Sequence, residues 1–69
     1  MPLSMVGVGE VIEIKRIGGK DDTRRFLASL GFVVGETVSI ITEMNGNFIV
    51  KVKESRVAIS REMANRIMV

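Results

Sequence analysis

Apolar and polar residues alternate along much of this chain, and the period of the alternation changes at definite places. From Glu10 to Ile17 the order is Glu-Val-Ile-Glu-Ile-Lys-Arg-Ile. Ile12 and Ile14 face one way and Glu13 and Lys15 the other, which is the pattern of a half-buried strand. Gly18-Gly19 ends it. From Asp21 the period lengthens: Thr23, Phe26, Leu27 and Leu30 fall at i, i+3, i+4 and i+7, one stripe of a helix running to about Leu30. Asp21 or Asp22 can cap its start. Gly31 stands at its C′ position, where a left-handed backbone costs glycine nothing. Val34-Gly35 then turns into a second strand, Glu36 to Glu43. Asn45-Gly46 is a strong hairpin signal, since both residues tolerate positive φ. On the return strand, Phe48 to Lys53, the side chains of Phe48, Val50 and Val52 share one face, and Ile49, Lys51 and Lys53 the other. Glu54-Ser55 makes a short turn into Arg56-Val57-Ala58-Ile59. Ser60 caps a single helical turn through Met63 and Ala64, and Ile67-Met68-Val69 forms a last short strand.

The residue types agree with this reading. Val and Ile together number 18 of 69 residues, whereas Leu numbers three. β-Branched side chains pack better on a pleated surface than on a helix. The order is strand, helix, three-strand meander, helical turn, strand. Five short strands are too few for a useful two-sheet sandwich. A small, partly closed five-stranded β-barrel removes most free edges, with the last strand returning to the first. One α-helix is inserted after the first strand, and a short helical turn precedes the last. Residues 1–69 are expected to form one domain.

Composition narrows the chemistry. The chain has no Cys and no His, so disulfides, thiolate metal sites, cysteine nucleophiles and the commonest general base are absent. No catalytic, cofactor or metal residues are assigned, and the chain is expected not to be an enzyme. It has no Trp or Tyr and only three Phe, too few for a base-stacking surface. Ten Lys and Arg face eight Asp and Glu, for a net charge of +2, and the two signs are interspersed. Nucleic-acid binders concentrate positive charge on a face or tail, so nucleic acid is not an expected partner. No apolar run approaches a membrane span and the start lacks a secretory pattern, which leads us to expect a cytoplasmic chain without membrane insertion. The hydrophobic fraction is 46%. A domain this small buries only about 60% of its unfolded surface. Some apolar side chains must therefore be exposed, and an exposed apolar patch marks a docking site or weak self-association.

Three segments in fixed order carry a family resemblance. Arg24-Arg25-Phe26-Leu27-Ala28-Ser29-Leu30-Gly31-Phe32-Val33-Val34-Gly35 resembles the helix-and-turn signature of the FeoA family, the hairpin around Asn45-Gly46 follows, and Arg56 to Val69 is similar to the family's ending. The opening Leu3 to Gly9 matches the family's short lead-in, so the resemblance spans nearly the whole chain. It implies an SH3-like small β-barrel with an inserted helix, and a cytoplasmic accessory protein of ferrous iron uptake. The partner implied is the FeoB membrane transporter. The family commonly has Pro before the turn glycine where this chain has Val34, a departure that would loosen the turn or alter its type. A related domain ends metal-dependent transcriptional repressors, so a stand-alone regulatory interaction domain is the alternative function.

Each candidate feature has a plainer reading. Gly18-Gly19-Lys20 before a helix lacks the spacing of a phosphate-binding loop, and Asp21 and Asp22 would repel an anion. Asp21-Asp22 as a cation site competes with helix capping and dipole complementarity. Arg24 and Arg25 serve either as contacts to an acidic partner or as solvated charges at a helix start. Phe32 either closes a contact across the helix C-cap or lies in an exposed patch. Met44 at a hairpin tip has little core to reach, and flexible Met suits adaptable contacts. The expected partner-binding set is Arg24, Arg25, Phe32, Gly35, Met44 and Phe48.

Overall fold

A computed structural model describes residues 1–69. It is mainly β, with six strands in two antiparallel sheets and two α-helices. The strands are β1 (Val11–Glu13), β2 (Arg16–Ile17), β3 (Thr37–Met44), β4 (Asn47–Val52), β5 (Ser55–Ser60) and β6 (Ile67–Met68). Helix α1 (Asp21–Ser29) lies between β2 and β3, and α2 (Arg61–Ala64) lies between β5 and β6. The larger sheet has the order β1-β3-β4-β5, and β2 pairs with β6 in the smaller one.

The predicted first strand is divided in two, which raises the strand count from five to six. Ile14 donates its N–H to the Glu36 carbonyl at 2.9 Å, on the β3 side, while Lys15 donates to the Met68 carbonyl at 2.8 Å, on the β6 side. One extended ribbon thus changes partner between consecutive residues, as strands do where a small barrel turns a corner. Alternation reports which side chains are buried and carries no record of which neighbour a backbone bonds. The two sheets share this ribbon and are not joined by a continuous ladder elsewhere, so the barrel stays partly open.

The core is one cluster of 13 buried apolar residues. Val38 and Ile40 of β3, Phe48, Val50 and Val52 of β4, and Ile59 of β5 are its sheet contribution. Leu27 and Phe32 come from the helix and its exit, and Ala64 and Ile67 from the C-terminal elements. Leu3, fully buried, comes from a 3₁₀ turn over Leu3–Met5. That turn lies beside the other end of the chain: Pro2 bridges to Met68, and Val69 donates its N–H to the Met1 carbonyl at 2.8 Å.

A β-bulge in β3 sets the facing of the hairpin. Ile40 pairs with Val50 and Thr42 with Ile49, leaving Ile41 as the extra residue. Beyond the bulge the alternation is reversed. Glu43 therefore pairs with Phe48, and Met44 with Asn47. The turn residues Asn45 and Gly46 have φ of 52° and 81°, as a type I′ turn requires. The β4–β5 turn is Lys53-Glu54, one residue earlier than expected, and Lys53 takes φ 56° instead of continuing the strand. Ser60 caps α2 as predicted, its Oγ accepting the Met63 N–H at 3.2 Å.

Candidate docking surface

Helix α1 rides on the barrel along a narrow line. Leu27 is its buried residue, and Thr23 and Leu30, one turn to either side, are half-buried. Phe26, expected in the same stripe, is 50% exposed. A helix advances about 100° per residue, and a helix lying on a small, strongly curved surface buries less of its circumference than one packed on a flat sheet. Phe26 is on the flank. Lys20, not Asp21 or Asp22, occupies the N-cap, without a side-chain capping bond. The two acids sit in the first turn, where they complement the helix dipole.

Arg24 and Arg25 are both exposed. Arg24 lies 3.7 Å from the Asp21 carboxylate, and Arg25 donates from Nε to the Asp21 backbone carbonyl at 3.4 Å. Such exposed pairs hold a side chain loosely, so both guanidinium groups remain open to a partner.

The helix ends in a Schellman motif. Gly31, with φ 106°, donates to the Ala28 carbonyl at 3.0 Å, and Phe32 donates to the Leu27 carbonyl at 3.0 Å. This geometry swings Phe32 back beneath the helix, where it is fully buried with Leu27. Phe32 is therefore a core residue and is removed from the partner-binding set. Phe48 is removed for a related reason: it points inward with Val50 and Val52 and is 2% exposed. The Arg61 guanidinium covers its ring at 5.2 Å from the centroid and also pairs with Glu43, closing that end of the barrel.

After Phe32 the chain returns to the surface. Val33 and Val34 are exposed, Val34 at 65%. Glu36 donates to the Val33 carbonyl at 3.1 Å, and Gly35 has φ 92°. A positive φ at the third position alone defines a type II turn, with Val34 at the position where proline is favoured. Val34 thus occupies a turn that would also accept proline. Gly35 itself is exposed and is pinned by its N–H to the Ile14 carbonyl at 2.9 Å.

Met44 is 61% exposed, as a hairpin-tip residue should be, but it does not adjoin the helix. The end of β4 near the helix is the other one, where Val52 and Lys53 pack against Gly31. The six residues of β4 separate the two places, about 17 Å at strand rise. The expected surface is thus split into a helix-and-turn region (Arg24, Arg25, Phe26, Val33, Val34, Gly35) and a separate hairpin tip. Phe26 was missed as a surface residue because an apolar residue in a periodic segment reads as core; Val33 and Val34 lie in a turn outside the periodic segments, where the pattern says nothing of exposure.

The signature segment, the barrel and the ending can now be set beside known proteins. A model of the FeoA domain matches residues 1–69. The chain belongs to the FeoA family. A protein of Methanocaldococcus jannaschii named for Fe(2+) transport is 34% identical over 68 residues, covering 99% of this chain and 83% of its own. Zinc-bound FeoA of Stenotrophomonas maltophilia, an SH3 domain protein, superposes with a TM-score of 0.85 at 26% identity, over 99% of this chain and 87% of that one. A manganese-dependent transcriptional repressor gives a TM-score of 0.85 at 20% identity, over 97% of this chain and 39% of the repressor. That likeness concerns the fold alone. The FeoA family is associated with Fe(2+) transport, and its SH3-like barrel is the architecture seen here.

No three His, Cys, Asp or Glu side chains come together as a metal-binding group. One shallow hollow of about 420 Å³ lies on the outer sheet face, between Val11, Glu36, Ser39, Lys51, Lys53 and Glu54. No helix is long and apolar enough to cross a membrane.

Proposed function

We propose that this FeoA-family protein is a non-enzymatic, cytoplasmic accessory of ferrous iron uptake that acts by docking on the cytoplasmic side of the FeoB transporter. The docking surface is α1 with the turn that follows it. One observation carries this reading: the family's signature segment, which also holds exposed Arg24 and Arg25, leaves the apolar side chains of Phe26, Val33 and Val34 in solvent. Aromatic and arginine side chains are the types that dominate binding energy at interfaces. Exposed apolar side chains gathered in a short segment of so small a domain are the mark of an interaction site. Docking biases the transporter's assembly or gating, with the arginines steering approach to an acidic surface.

The test is binding of the purified protein to the cytoplasmic domain of FeoB, measured as association and dissociation rates. Arg25→Glu should leave the melting temperature nearly unchanged, because exposed substitutions cost within about 0.5 kcal/mol. It should slow association, most strongly at low salt. Phe26→Ser should mainly raise the dissociation rate. Two folded variants that bind with wild-type rates would place the interface elsewhere.

A further inference from the structure

The larger sheet ends on one side in an open edge. Across the two-residue Lys53-Glu54 turn, Val52 pairs with Ser55, followed by Val50 with Val57 and Phe48 with Ile59. In a two-residue hairpin these alternate pairs exchange the ladder hydrogen bonds. The intervening residues of β5, Arg56 and Ala58, therefore turn their N–H and C=O groups away from β4. No backbone bond outside the regular elements reaches either residue, and no side chain bonds to them. Strand β6 pairs with β2 and does not close onto β5. Arg56, Ala58 and Ser60 are all exposed.

Proteins ordinarily blunt such an edge with proline, a bulge, a very short strand or charged side chains. The opposite edge strand, β1, has three residues. Strand β5 has six, in unbroken register with β4 and without proline. What it does carry is charge. Lys51 of β4 stands directly opposite Arg56 in a non-hydrogen-bonded pair, the kind that brings side chains closest. Like charges placed so are destabilising. None of the four ion pairs in the structure includes either residue, although Glu36 and Glu54 border the same hollow as Lys51. An unneutralised positive pair thus flanks a row of free backbone donors and acceptors.

We infer that β5 is a second binding site, which takes an extended acidic segment of a partner protein as an added strand. Backbone bonds to Arg56 and Ala58 supply the docking geometry, as in strand-addition complexes. Residues of the incoming strand that lie on the outer face meet Arg56, with Lys51 one strand further in on the same face, and are acidic. Those on the inner face lie beside half-buried Val57 and are apolar. The fitting sequence alternates acidic and apolar residues. A second copy of this chain fits worse. Two β5 strands paired antiparallel about Ala58 would set each Arg56 beside the other copy's Ser60 and double the positive charge on one face. This site belongs to β5, not to α1, and does not depend on the role proposed for α1.

The experiment uses the whole chain and a labelled peptide of about seven alternating Val and Glu residues, with a Val and Lys peptide as control. Fluorescence anisotropy should show binding of the acidic peptide only, weakening as salt is raised. Amide exchange at Arg56 and Ala58 should slow roughly tenfold or more at saturation, while Val57 and Ile59, already bonded to β4, change little. Ala58→Pro removes an edge donor without touching the β4 ladder, a position proline tolerates, and should weaken binding roughly tenfold. Arg56→Glu should abolish binding of the acidic peptide. Equal binding of both peptides, or none, overturns the inference. Binding without protection of Arg56 and Ala58 overturns it as well, and would place the peptide in the hollow on the sheet face. Protection of those two amides that rises with protein concentration, without peptide, would make a second copy the occupant and overturn the acidic assignment. If Ala58→Pro does not fold, the exchange data and Arg56→Glu decide the matter.

Discussion

Leu27→Ala and Phe26→Ala should differ sharply in cost, although both residues lie on the helical stripe of the sequence. Leu27 is fully buried and is α1's one anchor in the core, in the same cluster as Phe32. Truncating a buried leucine removes its transfer energy and leaves a cavity, together about 3–5 kcal/mol. A chain of 69 residues has a total stability of roughly 3–10 kcal/mol. The variant should therefore lose a large share of that stability, and melt at least about 10 °C lower. Phe26 is 50% exposed. Full burial of a large apolar side chain contributes about 1.5–3 kcal/mol, so half burial implies a cost of roughly 0.7–1.5 kcal/mol. Urea denaturation followed by far-ultraviolet circular dichroism measures both values, with thermal melts as a check. If Phe26→Ala costs as much as Leu27→Ala, the helix is rotated about its axis relative to the structure described, and the proposed docking surface loses its aromatic centre. If Leu27→Ala is nearly neutral, α1 is not held by the core at all.

Two further substitutions test the turns and caps. Val34→Pro should stabilise the protein by about 0.4–1 kcal/mol, because proline presets the turn's second position and restricts the unfolded chain; a higher denaturation midpoint with unchanged slope is the expected reading. Ser60→Ala should destabilise by about 1 kcal/mol through loss of the Met63 cap, and hydrogen exchange in the last ten residues should show whether α2 frays first.

Periodicity in the sequence was enough to locate the helix, the meander, the α2 cap and the faces of β4. Each depends on neighbours within one or two turns of chain, so local chemistry decides it. The Asn45-Gly46 turn and the Gly31 terminus are of this kind, since positive φ at those positions selects the residue type. The ordered signature segments carried the family as well. Long-range contacts decided the rest. The split of the first strand follows from Lys15 bonding to Met68 at the far end of the chain. Glu43 shares the side of Phe48 because one bulge residue, Ile41, reverses the alternation after it. The fates of Phe26 and Phe32 were exchanged by the curvature of the barrel and by the Schellman turn, which place one on the flank and the other beneath the helix. A hydrophobic residue in a periodic segment announces that it will meet something apolar; whether that is its own core or another molecule is settled only when the chain has closed around itself, because burial is a property of the whole surface and not of the residue.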